Sequence, residues 1–124
     1  MTTSQKPQTS QQLAELIVQG MQDKKASQIT ILDLRHVGNA VADYFVICSG
    51  NSDTQVDAIT DSVQELVYKA TKEQPWHVEG KTNREWILID YADAVAHVFR
   101  KDKRQFYDLE HLWGDARVTH IETE

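Results

Sequence analysis

Apolar residues recur every three to four positions in two stretches of this chain, and this spacing predicts two helices. The first runs from Ser10, a capping residue, to about Lys24. The second follows the cap Ser52 and continues to about Lys72, and Gln55 can complete a capping box at its start. We expect each helix to bury one stripe, formed by Leu13, Leu16, Ile17 and Met21 in the first and by Val56, Ile59, Val63, Leu66 and Val67 in the second.

Shorter runs of β-branched and aromatic residues predict the strands. Residues 27–34 and 43–50 form the first two, and the second run is apolar throughout, as expected of a central strand. Residues 76–78 form a short third strand, and a parallel crossover is expected across residues 44–79. The order of elements predicts an α/β fold: a single domain with a mixed, about five-stranded sheet and flanking helices.

Residues 85–100 predict a β-hairpin at the centre of this sheet. Its arms are two apolar runs, and Asp90 and Asp93 bracket the turn between them. Ile87 and Ile89 alternate with Trp86 and Leu88, so both faces of the first arm are apolar. Such a strand pair must be covered twice, by helices of this domain or by another protein.

The end of the chain contributes one more predicted helix, at residues 105–113, with Phe106, Leu109 and Trp113 on one face and Gly114 as its stop. Polar residues 1–9 and 117–124 predict a disordered N-terminal tail and a frayed C-terminal tail. The folded domain is therefore expected to span residues 10–116.

Composition favours a packed cytoplasmic protein with a protein partner. The 124 residues are 40% hydrophobic and 26% charged, as in one globular domain, with no apolar run long enough to cross a membrane. The single cysteine, Cys48, excludes an internal disulfide. A net charge of −6 repels nucleic acid and attracts a basic protein surface, so no sequence-specific nucleic-acid binding is expected.

Catalytic chemistry is poorly supported by the motifs. Residues 49–52 could bind an anion at a helix start, but a tight turn with an N-cap explains them as well. A nucleotidyltransferase would need two or three carboxylates converging on magnesium, whereas Asp90 and Asp93 flank a turn of their own. No two histidines lie close enough in sequence for a local metal motif, and we expect His97 to be a satisfied core or half-buried histidine rather than a catalytic base. We therefore predict no catalytic residues, no metal site and no cofactor.

Aromatic residues beside the hairpin are better explained by binding. Trp86 opens the hairpin, and Tyr107 lies on the opposite side of the last helix from Phe106. Trp, Tyr and Arg dominate the energetic centres of protein interfaces, although the same rings could complete a small core. The basic cluster at residues 100–104 is either a solvated loop or the polar rim of such an interface.

Several motifs in this chain together resemble the ribosomal silencing factor family, also called RsfS, Iojap or YbeB. The resemblance covers roughly residues 10–116. Thr54 departs from the pattern, since the family usually has arginine there. The matching residues are Ala42 to Gly50, Gln55-Val56, Ala58-Ile59, Glu79-Gly80, Trp86 to Asp93, His97-Val98-Phe99, and Arg104, Phe106, Tyr107, Leu109, Glu110, Leu112 and Trp113.

The resemblance implies a nucleotidyltransferase-like fold without catalytic acids, and a steric rather than enzymatic function. Family members bind the large ribosomal subunit through ribosomal protein fourteen, block its joining to the small subunit and repress translation under nutrient limitation. By this resemblance we expect a docking surface formed by Trp86, Leu88, Asp90, Arg104, Tyr107 and Glu110. An active nucleotidyltransferase and a homodimeric structural module stay open as alternatives, and the homodimer of the free protein would use the same apolar face.

Overall fold

A six-stranded mixed sheet organises the chain. The structure, a computed structural model, describes residues 9–104, 114 and 116–121. In space the strands follow the order β3-β4-β5-β2-β1-β6, with β2 and β5 parallel and all other neighbours antiparallel. This confirms the predicted mixed α/β domain with one strand more than expected. The strands are β1 Ser27–Asp33, β2 Tyr44–Gly50, β3 His77–Glu79, β4 Trp86–Asp90, β5 Ala94–Arg100 and β6 Arg117–His120.

The additional strand, β6, corrects the predicted end of the domain. It pairs antiparallel with β1, and the Ile121 N–H donates to the Ile29 carbonyl oxygen at 2.8 Å. The prediction that residues 117–124 form a frayed tail is therefore wrong for residues 117–120. All four strand residues are exposed, so β6 lacks the apolar alternation by which strands are recognised in a sequence.

Two helices, α1 Ser10–Asp23 and α2 Asp53–Thr71, occupy the predicted stretches. Thr9, rather than the predicted Ser10, caps α1: its Oγ1 accepts the Gln12 N–H, and the Gln12 side chain accepts the Thr9 N–H, each at 3.1 Å. This reciprocal pair is a full capping box. Neither helix is both long and apolar enough to cross a membrane, and no other span was found within the described residues.

The start of α2 is built differently from the predicted capping box. Ser52 is the cap, as expected, and its Oγ accepts the Gln55 N–H at 3.1 Å. The Gln55 side chain, however, accepts the Asn51 N–H at 2.6 Å and donates to the carbonyl oxygens of Lys24 and Lys25. Gln55 therefore ties the start of α2 to the end of α1.

Both helices pack on one side of the sheet, the helix face. The apolar cluster between this face and the helices contains Val46 and Cys48 of β2, Ile87 and Ile89 of β4, and the buried stripes of α1 and α2. The helices approach closely at Gly20, where the Ser62 Oγ donates to the Gly20 carbonyl oxygen at 2.8 Å. Burial of the Cys48 thiol raises its pKa, so it is an unreactive core residue.

The opposite side of the sheet, the second face, has its own apolar cluster. Trp86 and Leu88 of β4 pack against it and stay partly exposed, as do small residues of the loop after β1. The hairpin therefore presents Ile87 and Ile89 to the helices and Trp86 and Leu88 away from them. The buried members of this cluster are Leu32, Leu34, Phe45, Ile47, Val95 and Phe99.

The predicted hairpin is confirmed, with β4 and β5 antiparallel and a turn at residues 91–93. The predicted crossover from β2 through α2 to β3 joins two parallel strands, as expected, but these strands are not neighbours in the sheet. The pairings make β3 run parallel to β2, but β4 and β5 lie between them in the sheet. The predicted helix at residues 105–113 lies outside the described residues, as do residues 1–8 of the predicted tail.

Candidate protein-binding surface

The second face is organised by three cross-strand pairs between β4 and β5. Trp86 lies opposite Phe99, Leu88 opposite His97, and Asp90 opposite Val95. Alternate residues of a strand share a face, so Trp86, Leu88 and Asp90 all point away from the helices. The three hairpin residues that the sequence predicted for docking are thus brought together, each partly exposed.

Trp86 contacts two residues of β5, Phe99 and His97. Its ring stacks on Phe99 with centroids 5.1 Å apart, and its indole N–H donates to His97 Nδ1 at 3.0 Å. His97 is only 2% exposed, which confirms the expected core histidine, and Phe45 packs against it edge to face at 4.6 Å. One side of the Trp86 ring is therefore fixed on the domain.

Asp90 shapes the turn of the hairpin. Its Oδ1 accepts the Ala92 N–H at 2.7 Å, and Ala92 adopts a left-handed conformation with φ 74°. This is the turn-forming role expected of the aspartates. The Asp90 carbonyl oxygen also accepts the Trp76 N–H at 2.7 Å, which places the residue before β3 beside the turn.

A groove of about 280 Å³ opens beside Asp90. The two most exposed large apolar side chains of the described residues line it, Trp76 at 76% exposure and Val41 at 78%. The remaining lining residues are His77, Asp90, Ala92 and Val95. Exposed apolar residues that cluster around a groove are typical of a protein-binding surface, whereas scattered ones are not.

We call Val41, Trp76, Trp86, Leu88 and Asp90 the candidate docking surface. The sequence predicted the last three and missed Val41 and Trp76. Val41 lies in an irregular loop and Trp76 follows Pro75 before a three-residue strand, so neither belongs to a periodic pattern. The available signal was the residue type alone, since an exposed tryptophan is common in interfaces.

Arg104, another predicted docking residue, makes contacts within the domain. Its guanidinium donates to the Gln28 carbonyl oxygen at 2.6 Å, to Ser49 Oγ at 3.1 Å and to Thr30 Oγ1 at 3.2 Å. These bonds join the segment after β5 to β1 and β2. Gln28 has φ 53° at a bulge in β1, which turns its carbonyl group out of the regular ladder. A docking role for Arg104 stays a prediction.

The start of α2 is occupied by ion pairs. Asp53 lies 3.0 Å from Arg100 and 3.7 Å from Arg84, and Arg84 also reaches Asp57 at 3.1 Å. Hydrogen bonds to Asp102 and, next, to Asp53 raise the pKa of Arg100. Thr54, where the family usually has arginine, is exposed beside this network. The Asp53 carboxylate lies at this helix start, and the Gln55 side chain accepts the Asn51 N–H. These contacts explain residues 49–52 as a capped turn.

Among the described residues, no three His, Cys, Asp or Glu side chains are grouped so that they could hold a metal ion. Asp90 is a turn residue, and the Asp93 carbonyl oxygen accepts the N–H groups of Asp43 and Tyr44. These contacts give both aspartates structural roles at the turn.

Comparison with known proteins identifies the family. The family model described as "Ribosomal silencing factor during starvation" matches residues 7–124. The chain belongs to this ribosomal silencing factor family. Curated relatives named "Ribosomal silencing factor RsfS" include one from Halalkalibacterium halodurans, 40% identical over 92% of this chain and 96% of that protein. One from Bacillus subtilis is 43% identical over 81% of this chain and 83% of that protein.

The fold is shared as well. A Chromobacterium violaceum protein of known crystal structure superposes with a TM-score of 0.80, at 31% identity, over 86% of this chain and 88% of that one. A relative from Mus musculus, "Mitochondrial assembly of ribosomal large subunit protein 1", is 35% identical over 57% of this chain and 32% of that protein.

Within the family pattern, the described motif residues fall at different places. Trp86, Leu88 and Asp90 lie on the docking surface, whereas Ile87 and Ile89 belong to the core of the helix face. Arg104 lies against β1 and β2. Tyr107 and Glu110, the two remaining predicted docking residues, lie outside the described residues.

Proposed function

We propose that this ribosomal silencing factor homologue docks on the large ribosomal subunit through ribosomal protein fourteen. The bound protein would then occupy space that the small subunit needs, and so prevent the subunits from joining. Translation falls as a result when nutrients are limiting. The protein acts in the cytoplasm and without catalysis.

The observation that carries this proposal is the candidate docking surface. It combines a partly exposed tryptophan, Trp86, a second tryptophan that is 76% exposed, and apolar neighbours around a groove. Large aromatic side chains contribute most of the binding energy in protein interfaces when a partner excludes water from them. Trp86 is already stacked on Phe99, so little conformational freedom is lost when a partner covers it.

Charge supports a basic partner. The chain carries −6 net charge, and Asp90 contributes a carboxylate at the edge of the groove. By the family resemblance, ribosomal protein fourteen is a basic protein on the subunit-joining side of the large subunit. Opposite charges at the rim of an interface speed association and select the partner.

The choice of the large subunit is supported by one relative's name, since the mouse protein is named for assembly of the mitochondrial ribosomal large subunit.

An active nucleotidyltransferase would instead turn over a nucleotide with magnesium. A rate abolished by Asp93→Ala would overturn the non-enzymatic proposal. A homodimer of the free protein stays a prediction, and sedimentation equilibrium tests it.

The proposal is tested by titrating the protein against separated large and small subunits, and against isolated ribosomal protein fourteen. We expect saturable binding to the large subunit and to the isolated protein. Leu88→Asp should weaken both by at least about tenfold, because it places a charge in the centre of an apolar contact. Tyr68→Asp, an exposed change on α2, is the matched control. Binding to small subunits alone would contradict the proposal.

A further inference from the structure

We infer that buried His97 is a positioning residue, which holds the Trp86 indole in the orientation that a partner meets. The inference deepens the proposed function and rests on it for its binding measurement. It also makes a claim about the free protein, the lifetime of one side-chain hydrogen bond. That claim is tested independently of any partner.

The bond has a defined direction. Trp86 Nε1 carries a hydrogen and can only donate, so His97 Nδ1, 3.0 Å away, must accept. The imidazole is then neutral and carries its proton on Nε2. Burial fits this state, since desolvation lowers the pKa of His97 to about 3. His97 therefore offers a constant acceptor throughout the physiological pH range.

The other ring nitrogen gives the bond its significance. His97 Nε2 is buried and has no hydrogen-bond partner among the residues that the structure describes, where the ring lies among Phe45, Phe99 and Trp86. A buried N–H without a partner is unfavourable, and a leucine at this strand position would bring no such N–H group. What histidine adds over leucine at this position is the acceptor for Trp86.

The bond acts on the part of Trp86 that stacking leaves undetermined. Stacking on Phe99 fixes the plane of the indole, but an offset stack tolerates rotation within that plane. The bond to Nδ1 fixes which edge of the indole turns inward and which edge stays at the surface. A partner then meets one arrangement and does not have to order the ring on binding.

The test compares His97→Asn with His97→Leu. Both replacements branch at Cγ and have similar shapes, but only asparagine keeps an acceptor, its Oδ1, near the position of Nδ1. Asparagine should also give the less stable protein, because its remaining amide hydrogens would be buried. If the role of His97 is purely structural, indole protection and binding affinity should fall further in His97→Asn. If His97 positions the indole, both should fall further in His97→Leu.

The first readout is solvent exchange of the Trp86 indole proton, measured by nuclear magnetic resonance on the full chain. The resonance is assigned as the one missing from Trp86→Phe. Loss of the acceptor should speed its exchange by at least about tenfold in His97→Leu, and His97→Asn should restore most of the protection. Equal exchange in wild type and His97→Leu would overturn the inference.

The second readout is affinity for the large subunit. We expect His97→Leu to bind about threefold to tenfold more weakly than wild type, the range for one hydrogen bond, and His97→Asn to bind more tightly than His97→Leu. In the Trp86→Phe background, which keeps a ring but lacks the N–H, the two replacements should bind equally.

Affinity that follows melting temperature instead, with His97→Asn weakest, would overturn the inference. If the wild-type protein does not bind the large subunit, the proposed function fails, and indole exchange still decides whether His97 holds the ring. If Trp86→Ala binds the large subunit as tightly as wild type, no partner meets this ring and the inference is overturned.

Discussion

His97 sets the residue-scale behaviour of the second face because it is a titratable group in an apolar cluster. Its neighbours on the sheet include Phe45, Phe99 and Trp86, and desolvation alone lowers its pKa from 6.5 to about 3. In the unfolded chain the same imidazole titrates near 6.5. Between these two values the unfolded state binds a proton that the native state does not.

The sign of the pH effect follows directly. The contribution of His97 to stability is complete above pH 6.5 and falls as the pH drops toward 3. From pH 7 to pH 5 the free energy of unfolding should therefore decrease by about 2 kcal/mol more in wild type than in His97→Leu. Urea unfolding of both proteins at the two pH values measures this difference. The carboxylates are shared by both chains and cancel. An identical decrease would show that the imidazole is protonated in the folded protein.

At the scale of elements, the helix layer depends on one close crossing between α1 and α2. A Cβ added to Gly20 would lie 2.7 Å from Val63 Cα and 3.1 Å from Val63 N. These are backbone atoms, so a rotamer change of Val63 cannot relieve the clash. The Ser62 bond to the Gly20 carbonyl oxygen lies at the same crossing and fixes the two helices at this distance.

Gly20→Ala should therefore destabilise the protein despite the higher helix propensity of alanine. Alanine gains about 1 kcal/mol in a helix interior, whereas overpacking against backbone atoms this close costs about 2–3 kcal/mol, so we expect a net loss of about 1–2 kcal/mol. Chemical denaturation measures it. Gly38→Ala is the control, because no atom of the described residues lies within 4 Å of its added Cβ. Stability equal to or above wild type in Gly20→Ala would mean that the helices can move apart freely.

The elements predicted correctly were those with a strong local pattern. The helical stripes, the apolar run of β2 and the turn aspartates of the hairpin each determined one element. The sequence could not determine which side of β4 meets the helices, since both are apolar. That is decided by long-range packing, which places Ile87 and Ile89 inward. β6 was missed because an exposed edge strand with one apolar residue, Val118, has no pattern to detect.

At the scale of the molecule, the two sides of the sheet are covered differently. Two helices cover the helix face, whereas part of the second face carries the candidate docking surface beside the hairpin turn. Three of the five residues of that surface, Trp86, Leu88 and Asp90, were predictable from motifs. Val41 and Trp76 required the fold, because residues far apart in sequence meet at one groove only when β3 pairs with β4.

Trp76 provides the cleanest test of the surface, since it is 76% exposed. Trp76→Ala should change stability by less than about 0.5 kcal/mol, yet weaken large-subunit binding at least about fivefold, because a partner would bury the ring. Tyr68→Ala removes another exposed aromatic ring, from α2 on the opposite side of the sheet, and should leave binding unchanged. Equal affinities for the two variants would remove the groove from the interface. Titration and thermal melting supply both quantities.

The central claim is that the bound protein prevents subunit joining, and a joining assay tests it most directly. Purified large and small subunits are mixed with increasing amounts of the protein and separated by sedimentation. We predict that the joined fraction falls as the protein saturates the large subunit, that the protein sediments with large subunits alone, and that Leu88→Asp restores joining. Undiminished joining at saturating protein, or the protein sedimenting with joined ribosomes, would contradict the account.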